Sequence, residues 1–235
     1  KKSTDVEDIF SYLSIDILGD MIYNITMEHI NKSNMDYDKY KIINDFIFLC
    51  YFCGNDFLPN IPSLNIKPPN NKIPNGIQTI FESYSTSMLE INNNEGGIQY
   101  LINNNGHVKI NPVLFINILK ILSEDETTYY NDLYKNRRYI KRSMSNDLFD
   151  IDKHNFEENI ISNFRDEIQL GNPELKLTDW KYNYYKHYYN INIDKLNKVD
   201  NSLNSIIDDY LKGLVWTNYY YFDRCKDYEW FFEHH

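Results

Sequence analysis

The residues best able to do chemistry lie in one stretch, Gly54-Asn55-Asp56-Phe57-Leu58-Pro59, followed by Ile61-Pro62-Ser63-Leu64. An apolar helix must end at Gly54, and Pro59 and Pro62 fix the path of the chain beyond it. A carboxylate held on a rigid helix end is placed to ligate Mg²⁺ through oxygen. Asp56 is that carboxylate. The same residue type at a helix end also makes Asx-turns and caps, bonding backbone amides. Spacing alone leaves both roles open.

Other reactive side chains are weaker candidates. Cys50 and Cys53 form a C-x-x-C, the spacing of a redox or metal pair. They sit inside the apolar run from Phe46 to Cys53, where cysteine behaves as a small hydrophobe, and no second ligand pair with zinc spacing follows. Lys135, Arg137, Arg138, Lys141 and Arg142 make the densest basic patch, with Lys135, Arg138 and Arg142 on one helix face. It could track a nucleic-acid backbone, but flanking acids at 124–126 and 147–152 favour a solvated, internally neutralised helix. Asp208, Asp209, Asp223 and Asp227 read as exposed helix faces and caps rather than as metal ligands.

The elements that must position Asp56 are helical. A short strand is expected at Ile9–Leu13 from its β-friendly residues. Ser14 then caps a helix over 15–29. Asp38 caps a second helix to about residue 53, with apolar positions 42, 46, 49, 50 and 53 at helical spacing and Gly54 as its stop. Prolines 59, 62, 68, 69 and 74 make 58–76 irregular. A helix over 77–90 follows. Gly96-Gly97 and Gly106 bracket a short extended pair or loop, and Asn111-Pro112 starts a helix to about 122. Two helices are expected over 126–170 and an aromatic one at Trp180–Tyr189. A long last helix over 199–223 puts Ile207, Tyr210, Leu211, Leu214, Asn218 and Tyr221 on one face. The expected fold class is mainly α, a multi-helix domain with at most a few short strands.

Composition bounds the function. With 24 Lys+Arg against 34 Asp+Glu, the net charge is −10, which argues against a protein that coats nucleic acid by bulk charge. Apolar residues are 42% of the 235, enough for a packed core and too many for a disordered chain. There is no alanine, while Asn, Ile, Lys and the 21 Tyr abound, a pattern of A/T-rich codons expected of an AT-rich protist or giant virus. The chain starts at Lys1, so an excised piece of a longer polypeptide is expected. Three cysteines and no apolar run of membrane-spanning length point to a reduced, intracellular setting, cytoplasmic or nuclear, with no membrane partner.

The Gly54–Leu64 stretch closely resembles the signature of the XRN-type 5′-to-3′ exoribonucleases, and more loosely that of flap endonucleases. Asp45-Phe46 with the helix to Cys53 is similar to the family's helix before the motif. Gly96-Gly97-Ile98 and Asn105-Gly106-His107-Val108 resemble its glycine-marked segment. Trp180-Lys181 with Tyr184-Tyr185-Lys186, then Tyr210 to Trp216, Tyr219–Tyr221 and Cys225, and finally the tail Tyr228 to His235, resemble the end of its catalytic core. Departures are Asn60 for a usual His, Glu233-His234 for Pro-Tyr, and Tyr228 for Trp. The resemblance covers nearly the whole chain, residues 1–235, with the metal-binding turn in 1–66 and the helical body in 67–235.

The resemblance implies removal of single nucleotides from RNA bearing a 5′ monophosphate. Two Mg²⁺ ions roughly 4 Å apart would activate water and stabilise the leaving oxygen. Asp56 would be the late metal-binding, catalytic aspartate. The other carboxylates and the 5′-phosphate pocket would lie in an N-terminal nuclease half of the same polypeptide, leaving this chain inactive alone. Trp230 would stack on a base, with core packing as its other role, and His235 would lie nearby in the RNA path. The alternatives are a flap-type DNA nuclease, and a helical module that lost catalysis and binds RNA or protein.

Overall fold

The structure, a computed structural model, describes residues 11–30, 36–66, 74–95, 97–103, 108–124, 126–130, 184–186, 188–191 and 201–234. Four of its helices start where a side chain can satisfy free amides; one is the helix at Gly76, where Asn75 accepts from the Ile77 amide at 2.8 Å. Ser14 precedes α1 (Ile15–Ile30), its hydroxyl accepting from the Ile17 amide. Asp38 precedes α2 (Lys39–Cys50), and its carboxylate accepts from the amides of Tyr40 and Lys41 at 2.9 and 3.2 Å. Asn111 precedes α4 (Pro112–Glu124) and accepts from Val113 and Leu114. Each is the N-cap chemistry expected of its residue type.

Between these lie α3 (Gly76–Glu95) and a hairpin of β1 (Ile102–Asn103) and β2 (Lys109–Ile110), antiparallel with Ile102 opposite Ile110. The last long helix, α5, is Asn201–Phe222. The chain is mainly helical with one small hairpin among the described residues, the fold class its pattern implies. Among those residues, no helix is long and apolar enough to cross a membrane.

Helix α3 packs against α1, α2 and α4. Its buried Ile80, Tyr84, Met88 and Ile91 recur at helical spacing and line one stripe. They meet Phe48 and Leu49 of α2, Leu101, and Leu114 and Ile118 of α4 in one core that also takes in Leu58 and Leu64. Full burial of side chains of this size stabilises by about 1.5–3 kcal/mol each relative to exposure.

The structure differs from the sequence expectation in two places. Residues 11–13 are not a strand; Tyr12 and Leu13 are 94% and 72% exposed, and no described strand offers them a ladder partner. Ile9 and Phe10 lie outside the described residues. Helix α3 runs five residues past its expected end, to Glu95. Of the helices expected over 126–170 and 180–189, residues 126–130, 184–186 and 188–189 are helical and the rest lie outside the described residues. The basic patch from Lys135 to Arg142 lies outside them as well.

One buried acid holds these pieces in register. Asp45 of α2 is fully buried, and its carboxylate accepts three hydrogen bonds. Oδ2 accepts from the Tyr84 hydroxyl at 2.7 Å and the Leu101 amide at 2.6 Å, and Oδ1 accepts from the Ile102 amide at 2.9 Å. Burial raises its pKa to about 7, with the three bonds and Lys41 pulling in the opposite direction. Unfolded, it titrates near 3.8. The folded state therefore holds this proton more tightly. The resulting stabilisation is full below about pH 4 and is lost as pH rises through about 7, by an amount on the order of a few kcal/mol.

Two outcomes follow for urea unfolding. Asp45→Ala leaves two buried amides and a hydroxyl unpaired and should cost about 3 kcal/mol or more. Asp45→Asn should also destabilise, and it should remove the decline in stability that the wild-type chain should show between about pH 4 and 7. Parallel pH profiles for wild type and Asp45→Asn would refute the raised pKa.

Candidate functional site

Helix α2 does not stop abruptly. It tightens into a single 3-10 turn, Tyr51–Cys53, and then meets Gly54 at φ +91°, a conformation that L side chains rarely adopt. A Cβ at Gly54 would also lie 3.1 Å from the Asn60 backbone nitrogen. The chain then folds back on itself. The Asn55 amide donates to the Leu58 carbonyl at 3.1 Å, and the Ile61 amide donates to the Phe52 carbonyl at 2.8 Å.

Within this loop the two polar side chains divide the work. Asn55 makes the Asx-turn, its Oδ1 accepting from the amides of Phe57 at 2.9 Å and Leu58 at 3.0 Å. The capping role that either residue type could play is thus filled by Asn55. Asp56 is exposed, and its carboxylate has no hydrogen-bond or ion-pair partner among the described residues. The turn anchors its neighbours instead: Leu58 is buried in the core, and Phe57 packs edge-on against Trp216 and Tyr220 at 4.8 and 4.7 Å between ring centroids.

The tail returns to this turn through α5. Gly213 has no side chain where Leu58 and Trp230 close in; a Cβ there would stand 2.6 Å from Leu58 and 2.8 Å from the Trp230 ring. Trp230 is partly buried between this bare stretch of helix and Trp216, whose ring centroid is 5.0 Å away. Trp216 is fixed in turn by its indole N–H, which donates to the Asp227 carbonyl at 2.8 Å. The Tyr210 hydroxyl donates to the Pro59 carbonyl at 3.4 Å. Asp56 and Trp230 are therefore linked through Phe57, Trp216 and Gly213. Of these intermediaries, sequence reasoning assigned none a positioning role. The Trp216–Tyr219–Tyr221 cluster was the available signal.

Several candidates resolve into plain structural roles. Cys50 and Cys53 are partly buried, and burial pushes their thiols up to about 12 and 11. Neither is a ready thiolate, so the redox reading of the pair loses its chemistry. Asp209 pairs with Lys212 and His234, and these two bonds hold its carboxyl below the ordinary range. Asp223 pairs with Lys226, and Asp227 accepts from the Glu229 amide. These are surface pairs and caps, as their spacing suggests. His235 lies outside the described residues.

The donor set near the turn fits one carboxylate of a cation site. Mg²⁺ is commonly bound by one or two carboxylates with several waters retained. Among the described residues no three His, Cys, Asp or Glu side chains assemble into a group that could hold a metal. The residues present thus offer Asp56 as a single oxygen ligand and do not by themselves make a two-metal centre.

Comparison with known proteins agrees with the motif. The sequence profile of the Xrn1 helical domain matches residues 36–163 and 140–235. The chain is similar to a 5′-3′ exoribonuclease 2 homolog of Drosophila melanogaster, 20% identical over 96% of the chain and 27% of that protein. It is similar to 5′-3′ exoribonuclease 1 of Schizosaccharomyces pombe, 22% identical over 96% of the chain and 23% of that protein. A shorter match to 5′-3′ exoribonuclease 2 of Candida glabrata reaches 35% identity over 66 residues, 28% of the chain and 6% of that protein. The chain thus spans about a quarter of the length of the two relatives that it matches throughout. On the breadth of the profile match, this chain belongs to the Xrn1 helical domain family.

Proposed function

We propose that this chain is the helical part of a 5′-to-3′ exoribonuclease that hydrolyses 5′-monophosphorylated RNA to mononucleotides. The observation that carries this reading is the division of labour in the turn: Asn55 takes the capping bonds, and Asp56 is left exposed and, among the described residues, unpaired. A carboxylate freed from structural duty, on a backbone fixed by Gly54 and by the return of Ile61 onto Phe52, is preorganised to bind a cation. Asp56 would hold Mg²⁺ by one oxygen. The other carboxylates and the 5′-phosphate pocket would come from an N-terminal nuclease half of the same polypeptide. When bound, two such ions supply an activated water and stabilisation of the leaving oxygen.

The aromatic tail suits the same task. Trp230 is partly exposed, and Trp216 and Gly213 pack against its ring. Exposed Tyr220, Tyr221, Tyr228 and Phe231 lie on α5 and the tail. Aromatic faces stack on any base at about 1–3 kcal/mol each, which suits an enzyme indifferent to sequence. His235, at the end of the tail, would lie along the RNA path.

Three measurements test the reading. In the full-length polypeptide, Asp56→Asn should slow Mg²⁺-dependent degradation of 5′-monophosphorylated RNA by ~100-fold or more, with little change in thermal midpoint because the side chain is exposed. Activity within a few fold of wild type would remove Asp56 from the metal site. Trp230→Leu keeps bulk against Gly213 but loses the stacking face, so it should slow RNA degradation about tenfold while Trp230→Phe retains more of the rate. Equal losses in the two variants, matched by equal losses of stability, would assign the ring to packing. The 235-residue chain alone should not degrade RNA, and processive 5′ degradation by it would contradict the division of the site.

A further inference from the structure

A second polar site lies away from the Asp56 turn. A cleft of about 500 Å³ opens between the first half of α2 and the hairpin. Lys41 and Asn44 line it from α2, Gln99 and Tyr100 from the segment before β1, and Asn103 and Lys109 from the strands. Among the described residues no carboxylate lines it, although the chain as a whole carries −10. The acids nearest in sequence are occupied. Asp45 turns into the core onto the amides of Leu101 and Ile102, and Asp38 accepts from the amides of Tyr40 and Lys41.

The lining is rich in donors that are not otherwise spent. Gln99 Oε1 accepts from the Asn111 side chain at 3.2 Å, which leaves the Gln99 amino group to donate elsewhere. Asn44 and Lys109 have no hydrogen-bond partner among the described residues. Lys41 stands over the Tyr100 ring, its nitrogen 5.0 Å from the centroid. Two ammonium groups and two amides around one concavity match an oxyanion with several acceptor oxygens, as a phosphate has. The framework is rigid, because Asp45 ties α2 to β1 directly behind the cleft.

We propose that this cleft binds the backbone phosphates of a single-stranded RNA at a point distant from Asp56. Lys41 lies in the first turn of α2 and Asp56 follows its far end, about 15 Å or more along the helix axis. The site is thus a second hold on the strand rather than part of the cation site. The choice of RNA among phosphate-bearing ligands rests on the exoribonuclease reading.

The experiment is fluorescence anisotropy on the 235-residue chain with a labelled single-stranded oligoribonucleotide bearing a 5′ hydroxyl, across 50–200 mM salt. Lys41→Gln/Lys109→Gln should weaken binding at least fivefold and lower the slope of log K against log salt by about 1.4, two contacts at about 0.7 each. Lys120→Gln, at an exposed position of α4 outside the cleft, should change neither. Unchanged RNA affinity in the double variant, or an equal loss in Lys120→Gln, overturns the proposal. Displacement of the RNA by low-millimolar inorganic phosphate or nucleoside monophosphate, lost in the double variant, also overturns it, since the cleft would then hold a free phosphate. Because the readout is binding without hydrolysis, an active Asp56→Asn enzyme would sink the metal-site reading and leave this result standing, and the reverse holds equally.

Discussion

Three hydrogen bonds to one buried carboxylate tie α2, α3 and the start of the hairpin together. Asp45 reaches from α2 to Tyr84 on α3 and to the backbone at Leu101 and Ile102, so two helices and the start of the hairpin meet on its two oxygens. An unpaired carboxyl at this depth would be costly, and only the convergence of three donors makes the position tolerable. The dependence runs both ways. The hairpin has two residues per strand and cannot be stable by itself, so it depends on this anchor and on the burial of Leu101 and Ile102. Helix α2 is in turn held firmly enough for its far end to carry a fixed turn.

In that turn the structural work falls to a neighbour of the exposed acid. The loop after α2 needs a side chain to accept amides that the helix end leaves unpaired. Asn55 supplies it, and Phe57 and Leu58 on either flank are pinned by aromatic contact and burial. Asp56 is thereby fixed in backbone position while its own side chain stays uncommitted. The arrangement separates rigidity from availability, the two requirements that compete when one residue must both hold a loop and meet a ligand.

Much of this was legible in the sequence where the determinants are local. Asp38, Gly54 and Asn111-Pro112 are terminus signals, and each acts within three or four residues of itself. The Asp56 turn is likewise set by six consecutive residues. What escaped the sequence is non-local. Asp45 reads as one more residue of an apolar helix because its partners lie 39, 56 and 57 positions away. The strand expected at Ile9–Leu13 rested on propensity alone, and propensity cannot supply a neighbouring strand. The packing of Trp230 depends on a glycine in the middle of a long helix, where glycine is ordinarily a small penalty and nothing in the local pattern announces a close approach.

That glycine has a consequence for how genetic data on this protein would be read. Gly213 sits more than 150 positions from Asp56 in sequence and carries no chemistry, yet any side chain there drives Leu58 and Trp230 apart. On the proposed role of Asp56, a screen scored by loss of function would rank Gly213 beside the acid. Suppressors would arise not as new ligands but as smaller residues at position 58 or 230, and finding them would identify the site as a matter of spacing rather than of reactivity.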